Sequence, residues 1–392
     1  MKMTQYLKWK TDSSKGEVFT PIELVCEMLD EIPDKVWKNP NSTFLDPCMG
    51  KGTFLLEIVR RLVYIYGYTE DDAKSRVHGY DIRVKYINHL TRRGLKNVRH
   101  KDFLNEVINM EFDVVLGNPP YQLKVGPNKT ESLWNKFVKK SFEICRDGGY
   151  VSLIHPNGWR NIDGKYKDIQ QLLKSKNITY LSLNGVEEGQ KIFNATTPFD
   201  WYVVKNIENS QETLIKFQDN TTKLVDLRNI QILPNGMFEE IMSLVANENE
   251  DKVNMIHSYS AYETRQNFMS KTSSEEYPYP CVYSVLTNGN VNFMYSSNNQ
   301  RGHFGVPKLI FGNGTNPTSI IDSEGQYGLT QFAFGIVDSP ENLPLIERAI
   351  KSEKFQKINK NTKYVATAGN PLVYPKIVEL FRKDFWREFI DD

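Results

Sequence analysis

With 392 residues and 40% apolar content, the chain is long enough for two domains that each bury a core. Its formal charge is +1; residues 1–205 carry 31 Lys+Arg against 25 Asp+Glu and the remainder 18 against 23, so bulk charge does not argue for a nucleic-acid binder, and any phosphate contacts fall to local loops. Met1–Lys10 has lysines but no apolar core and no stretch has the length of a membrane-spanning helix, so secretion and membrane insertion are unsupported, while Cys26, Cys48, Cys145 and Cys281 show no paired metal-ligand spacing and a reducing cytoplasm is expected.

In chain order, Glu17-Val18-Phe19-Thr20-Pro21-Ile22-Glu23 reads as a capping box, Thr20 with Glu23, that opens a helix carrying Ile22, Val25, Cys26 and Leu29 on one face. Phe44 to Leu55 reads as a short buried strand ending at Asp46-Pro47, a turn through Gly50 and Gly52, and a helix with Phe54, Leu55, Ile58, Val59 and Leu62 on one face. The glycines let backbone N–H groups approach a ligand at a helix N-terminus. Leu55 stands where a dinucleotide fingerprint has its third glycine, and Gly50-Lys51-Gly52-Thr53 is not a phosphate loop, so the turn suits a cofactor without a pyrophosphate. Lys51 is expected to point outward. The next strand ends at Asp81, followed by Ile82, where a carboxylate can accept both hydroxyls of a ribose, and a third ends at Asp102-Phe103, a carboxylate beside a ring. Each acid has a plain alternative as a turn or cap carboxylate. Their recurrence at successive strand ends favours a ligand.

A fourth strand, Phe112–Gly117, stops at Asn118-Pro119-Pro120-Tyr121, because proline cannot donate to a sheet ladder. The Asn118 amide oxygen and the Pro119 carbonyl are acceptors that can converge on an –NH2 group, pulling its lone pair out of conjugation, while the Tyr121 ring offers a face to a planar base. After a helix with Trp134, Phe137, Val138, Phe142 and Cys145 on one face, strands near 150–155, 178–183 and 199–205 complete seven. His155, at the end of the fifth, is either a general base or a satisfied structural histidine.

This order of motifs, a Phe-Thr-Pro helix, Asp-Pro-x-x-Gly-x-Gly, an acid, Asp-Phe and Asn-Pro-Pro-Tyr, resembles the gamma-type methyltransferases that modify adenine N6 in DNA with S-adenosylmethionine. The resemblance implies a doubly wound, Rossmann-like α/β sheet of seven strands, the last antiparallel, over residues 1–232, and a mixed α+β target-recognition domain over residues 233–392. It implies further that Phe19, Thr20 and Pro21 line the methionine end of the cofactor, that Asp46 and Pro47 with Gly50 and Gly52 hold its amino-acid part, that Asp81 and Ile82 take the ribose, and that Asp102 and Phe103 take the adenine. Asn118, Pro119, Pro120 and Tyr121 would then hold the flipped target base, with Phe193 packing opposite Tyr121. No metal is expected, and a bacterium or its phage is the expected source.

Double-stranded DNA is the implied partner. Lys124 and Lys129, in a loop Gln122–Ser132, are candidates for phosphate contact, and Arg301, Lys308 and Asn313, in polar loops of the second half, for base contact. Two other readings stay open at this point: a methyltransferase acting on RNA adenine or protein glutamine, and a non-catalytic DNA-binding relative. Cytosine-C5 chemistry would need a thiolate after the fourth strand, and Pro47-Cys48 and Pro280-Cys281 stand elsewhere. Oligomeric state is unassigned.

Overall fold

The computed structural model describes residues 19–126, 129–161, 164–257, 260–286, 288–312, 318–362 and 377–390. The chain divides into two compact units, residues 1–231 and 232–392. The first is built on a nine-stranded sheet. Its strands are β1 (Phe44–Asp46), β2 (Val77–Asp81), β3 (Val98–His100), β4 (Phe112–Gly117), β7 (Cys145–Pro156), β8 (Lys176–Asn184), β9 (Phe199–Glu208), β10 (Thr213–Lys216) and β11 (Thr222–Val225), while β5 (Gln122–Gly126) and β6 (Lys129–Ser132) form a separate hairpin.

The sheet order is β11-β10-β8-β9-β7-β4-β1-β2-β3. From β3 to β7 every pairing is parallel, and β9 runs antiparallel between β7 and β8. The seven expected strands are all present and the last is antiparallel; β10, parallel to β8, and β11, antiparallel to β10, extend the edge beyond them. Burial on both faces explains the apolar runs. Phe44, Val114 and Leu116 pack in one core with Leu24, Val25, Leu55 and Ile58, while the alternate residues Leu45, Val115, Val151 and Leu153 face the other way and are equally buried. The strand order reverses direction at β1/β4, which is where open α/β sheets place a ligand crevice.

The expected capping box does not form. The first helix spans Ile22–Asp30 with Pro21 at its N-cap and no side-chain cap. Thr20 therefore keeps its hydroxyl for another partner.

The second unit is mixed α+β. One four-stranded sheet runs β12 (Asn254–Ile256), β19 (Ala333–Val337), β16 (Lys308–Gly312), β17 (Ser319–Asp322), and another runs β13 (Met269–Ser270), β15 (Val291–Ser296), β14 (Tyr279–Val285), β18 (Gly328–Leu329). Helices Leu343–Lys351 and Glu353–Asn361 follow. Among the described residues no helix is long and apolar enough to cross a membrane.

A buried ion pair ties the turn after β7 to β9: Arg160 Nε lies 2.9 Å from Asp200 Oδ2, which also accepts from Trp159 Nε1 at 2.9 Å. Both charged side chains are fully buried, and burial raises the Asp200 carboxyl despite the guanidinium. Removing one member of such a pair leaves an uncompensated charge in the core. Asp200→Ala should cost about 3–5 kcal/mol in urea unfolding; a loss under about 1 kcal/mol, the range of exposed pairs, would mean that water reaches Arg160.

Candidate active site

The carboxyl ends of β1, β2 and β4 open into a cavity of about 550 Å3, a size suited to a small organic ligand. On β1, Asp46 is buried and its Oδ1 accepts from Cys48 N at 3.0 Å. Burial, with the nearby Asp81 carboxylate adding to it, pushes the Asp46 carboxyl up to about 7 against the effect of the Cys48 N–H. The turn then passes through Gly50 (φ +51°) and Gly52 (φ +79°), both left-handed. Gly50 N donates to Asp81 Oδ2 at 3.0 Å, stitching the turn to β2. Arg83 donates to Asp81 Oδ1 through its backbone N (2.8 Å) and Nε (3.1 Å).

Asp46, Pro47, Gly50, Asp81, Ile82, Asp102 and Phe103 all line the cavity, as do Phe19, Thr20, Asn118, Pro119, Pro120, Tyr121 and Phe193. Two expected residues do not. Pro21 caps the first helix, and Gly52 packs against the helix Val84–Thr91, where an added Cβ would lie 2.5 Å from a Leu90 methyl. Asp102 also meets its plain alternative: Oδ1 accepts from Leu104 N (3.0 Å) and Oδ2 from Asn105 Nδ2 (2.7 Å), closing its own turn. Phe103 is buried and stacks on Phe137 with centroids 5.4 Å apart.

At the end of β4, Asn118 Nδ2 donates to Thr20 Oγ1 at 3.3 Å, the use that the missing cap leaves for that hydroxyl. This orients the amide so that its oxygen is the group left to accept from a ligand. Tyr121 follows, half-buried, with its phenol held well above the ordinary range by burial and by the Asp200 charge. It stays protonated near neutrality. Phe193, from the helix Val186–Phe193, meets Phe199 edge to face at 4.9 Å, and left-handed Asn194 turns the chain so that Ala195 and Thr197 also line the cavity.

The arrangement fits S-adenosylmethionine, a nucleoside joined through a sulfonium to an amino acid. A Cβ at Gly50 would project toward the Phe19 ring at 3.8 Å, so the missing side chain leaves a cradle between turn and ring. Asp46 lines the same cavity, and Asp81 lies at the next strand end.

Several expectations need correction. Lys51 does not point outward: it lines the cavity with Nζ 3.8 Å from the Phe19 ring centroid. Gln122–Gly126 and Lys129–Ser132 are not loop but pair as the antiparallel strands β5 and β6, with Lys124 on β5 and Lys129 exposed on β6. Lys308 is not a DNA contact, because it is fully buried, ion-paired to Asp322 at 2.7 Å and donating to the His303 and Val306 carbonyls. Arg301 is exposed, its guanidinium 4.1 Å from the Phe268 ring centroid. Asn313 lies outside the described residues. Cys48 lines the cavity but is held as a thiol, since burial and then Asp46 raise it well above its ordinary value. Sequence reasoning missed Arg83 and Phe137; the first stands two residues after Asp81, and the second gave no signal beyond a core position on its helix.

His155 is not a base in this site. It is fully buried, stacked on Trp134 at 4.5 Å, with Nε2 at 3.2 Å from the Tyr202 hydroxyl, and burial lowers it to about 4. In the unfolded chain it titrates near 6.5, so its neutral burial favours folding fully above that value and progressively less as pH falls toward 4, on the order of 3 kcal/mol in total. An NMR titration should find His155 neutral at pH 5; a midpoint near 6.5 would contradict the burial.

Residues 50–193 match the family described as Eco57I restriction-modification methylase. The chain is 24% identical over 244 residues to the Type II methyltransferase M.VspI of Vibrio sp. (strain 343), covering 58% of this chain and 57% of that one. It is 23% identical to an uncharacterized adenine-specific methylase of Mycoplasma pneumoniae, covering 46% of this chain and 67% of the relative. Among solved structures, the ATP-dependent Type ISP restriction-modification enzyme LlaBIII bound to DNA is similar at 11% identity and a TM-score of 0.49, over 95% of this chain and 39% of that one. The chain thus spans little more than half the length of M.VspI. The match to the Eco57I restriction-modification methylases runs from the glycine turn to Phe193, and over that stretch the resemblance carried by the motif order is borne out.

Proposed function

We propose that the protein transfers the methyl group of S-adenosylmethionine to N6 of an adenine flipped out of double-stranded DNA. The observation that carries this reading is the Asn118 amide. With Nδ2 tied to Thr20, its oxygen and the Pro119 carbonyl are the two acceptors beside the Tyr121 ring, in the same cavity as the glycine turn. The names of the relatives support it.

Two acceptors on one amine hold both of its hydrogens and turn the nitrogen lone pair away from the ring, toward the methyl donor. When bound, the cofactor supplies an electrophilic methyl group and leaves as a neutral thioether. Tyr121 and Phe193 cover the two faces of the base. Flipping costs a few kcal/mol and stacking on an aromatic returns about 1–3 kcal/mol, so the rings roughly offset extrusion. Rate then comes from orientation and from preorganised acceptors. The second unit is assigned target recognition, with Arg301 as a contact, and Lys124 and Lys129 are assigned phosphate contact from the hairpin.

Tritium transfer from labelled S-adenosylmethionine to DNA, RNA and protein in parallel tests the substrate: label in N6-methyladenine of duplex DNA is expected, and label confined to RNA or to glutamine amides would replace the reading. Asn118→Ala should lose on the order of 10² to 10³ in rate while cofactor affinity survives. Tyr121→Phe should be mild, since the ring face is what stacks, and a Phe variant as inactive as Asn118→Ala would make the hydroxyl a participant. Asp46 adds a pH dependence. A bound ammonium pulls its carboxyl down from about 7, so binding expels a proton and affinity should strengthen as pH rises toward that value. Calorimetry across that range checks the slope, and Asp46→Asn should flatten it.

A further inference from the structure

In the second unit one exposed arginine has its plane fixed and its donors unused. Arg301 sits in a turn before left-handed Gly302, with its guanidinium carbon 4.1 Å from the Phe268 ring centroid, a stacking distance. Among the described residues that guanidinium makes no hydrogen bond and no ion pair. Arg265, three residues before Phe268, shows the more ordinary outcome for an exposed arginine, since its guanidinium is drawn onto Glu263.

The platform beneath Arg301 is braced on every side. The Phe268 carbonyl accepts from Ser297 N at 3.0 Å, and Arg301 N donates to the Tyr262 hydroxyl at 3.2 Å. Tyr262 is itself fully buried and meets the rings of His303 and Phe304 at 5.1 and 5.6 Å. The chain is thus fastened before, at and after the arginine. Stacking occupies the face of a guanidinium and leaves the N–H donors of its edge in one plane, as a fork. Guanine matches that fork with two acceptors, O6 and N7, on its major-groove edge, whereas adenine sets a donor beside N7. A phosphate can be met by a cation that turns freely, so it does not call for a plane fixed in advance.

We propose that Arg301, held on Phe268, is a specificity-determining residue that reads one guanine of the target sequence through O6 and N7. The inference rests on the duplex-DNA reading above and deepens it: besides the adenine that is modified, the target contains a guanine, and Phe268 positions the group that reads it.

Methylation of a randomised duplex library by the full chain, with N6-methyladenine mapped to its sequence context, gives the test. Wild-type protein is expected to require guanine at one position. Arg301→Ala should lower the preference for guanine there by on the order of 10- to 100-fold and leave the other positions of the motif as they were. Arg301→Lys keeps the charge but not the fork, and should relax the same position. Phe268→Leu leaves the arginine and removes its platform, so it should relax that position by less. With 7-deazaguanine there, wild-type protein should slow by on the order of 10-fold, whereas the Arg301→Ala variant should not sense the change. A uniform loss on all sequences with the motif intact and a shallower salt dependence would make Arg301 a phosphate contact and overturn the proposal. A wild-type motif without guanine would overturn it too, as would an Arg301→Ala variant indistinguishable from wild type. Wild-type protein that methylates no duplex sequence would instead bring down the DNA reading itself.

Discussion

The turn after β1 lies so close against its two neighbouring strands that only glycine fits where they meet. A Cβ on Gly79 of β2 would come within 2.3 Å of the Met49 sulfur and 2.8 Å of a Leu55 methyl, and one on Gly117 of β4 would come within 2.8 Å of Asp46 Oδ1. Hydrogen bonds close the same gap from β2, with Met49 N donating to the Tyr80 carbonyl at 3.0 Å and Gly50 N to Asp81 at 3.0 Å. The β1 register, Phe44 opposite both Val77 and Val114, then brings Asp46, Asp81 and Asn118 to one rim. A side chain at Gly117 would push the acid on β1 away from β4, and one at Gly79 would press on the turn that Gly50 ties to Asp81.

Bracing continues past the rim. The Tyr121 carbonyl accepts from Leu133 N at 3.0 Å, so the two sides of the hairpin are tied where it begins and ends. The next residue, Trp134, starts the helix that stacks on His155. On the other side, the Asp200 charge acts on Tyr121 from within its buried pair with Arg160. Core electrostatics and site electrostatics are thus continuous: the carboxylate that holds the turn after β7 adds to burial in raising the Tyr121 phenol.

Strands such as β1, β4, β7 and β9 were legible because burial on both faces leaves near-continuous apolar runs, whereas β3, with Arg99 and His100 exposed, showed only through its place before Asp102-Phe103. The edge strands β10 and β11 were not legible, since Leu214 and Leu224 sit exposed among charged and polar neighbours and leave no such run. Most of the candidate site could be read because its members are strand-end residues, whose place follows from topology. Lys51 and Lys308 could not, for one physical reason: a lysine defaults to solvent unless a tertiary partner captures it. Lys308 is opposite Asp322 in the β16–β17 register, fourteen residues away, and Lys51 lies over the ring of Phe19 from the start of the chain's described part. Thr20 illustrates a local rule overridden by a tertiary one, its hydroxyl passing from an expected cap to Asn118.

The ionisation states in the cavity also constrain how the proposed reaction can dispose of a proton. Tyr121 is held above its ordinary value, Cys48 remains a thiol, and His155, neutral and buried, lies outside the cavity. Asp46 titrates near 7 but belongs to the turn, where a bound ammonium would keep it ionised and engaged. No strong base therefore faces Asn118 from these groups, and none is needed before transfer, because an amine whose lone pair has been freed by two acceptors is already the nucleophile. The proton becomes acidic only once the new N–C bond leaves the nitrogen cationic. In the proposed reaction it then sits on one of the hydrogen bonds to Asn118 or Pro119, neither of which can accept it fully, so it must pass on to solvent. Chemistry of this kind asks the protein for geometry more than for basicity, and geometry is what the two close-packed glycines, the Thr20–Asn118 bond and the braced hairpin provide.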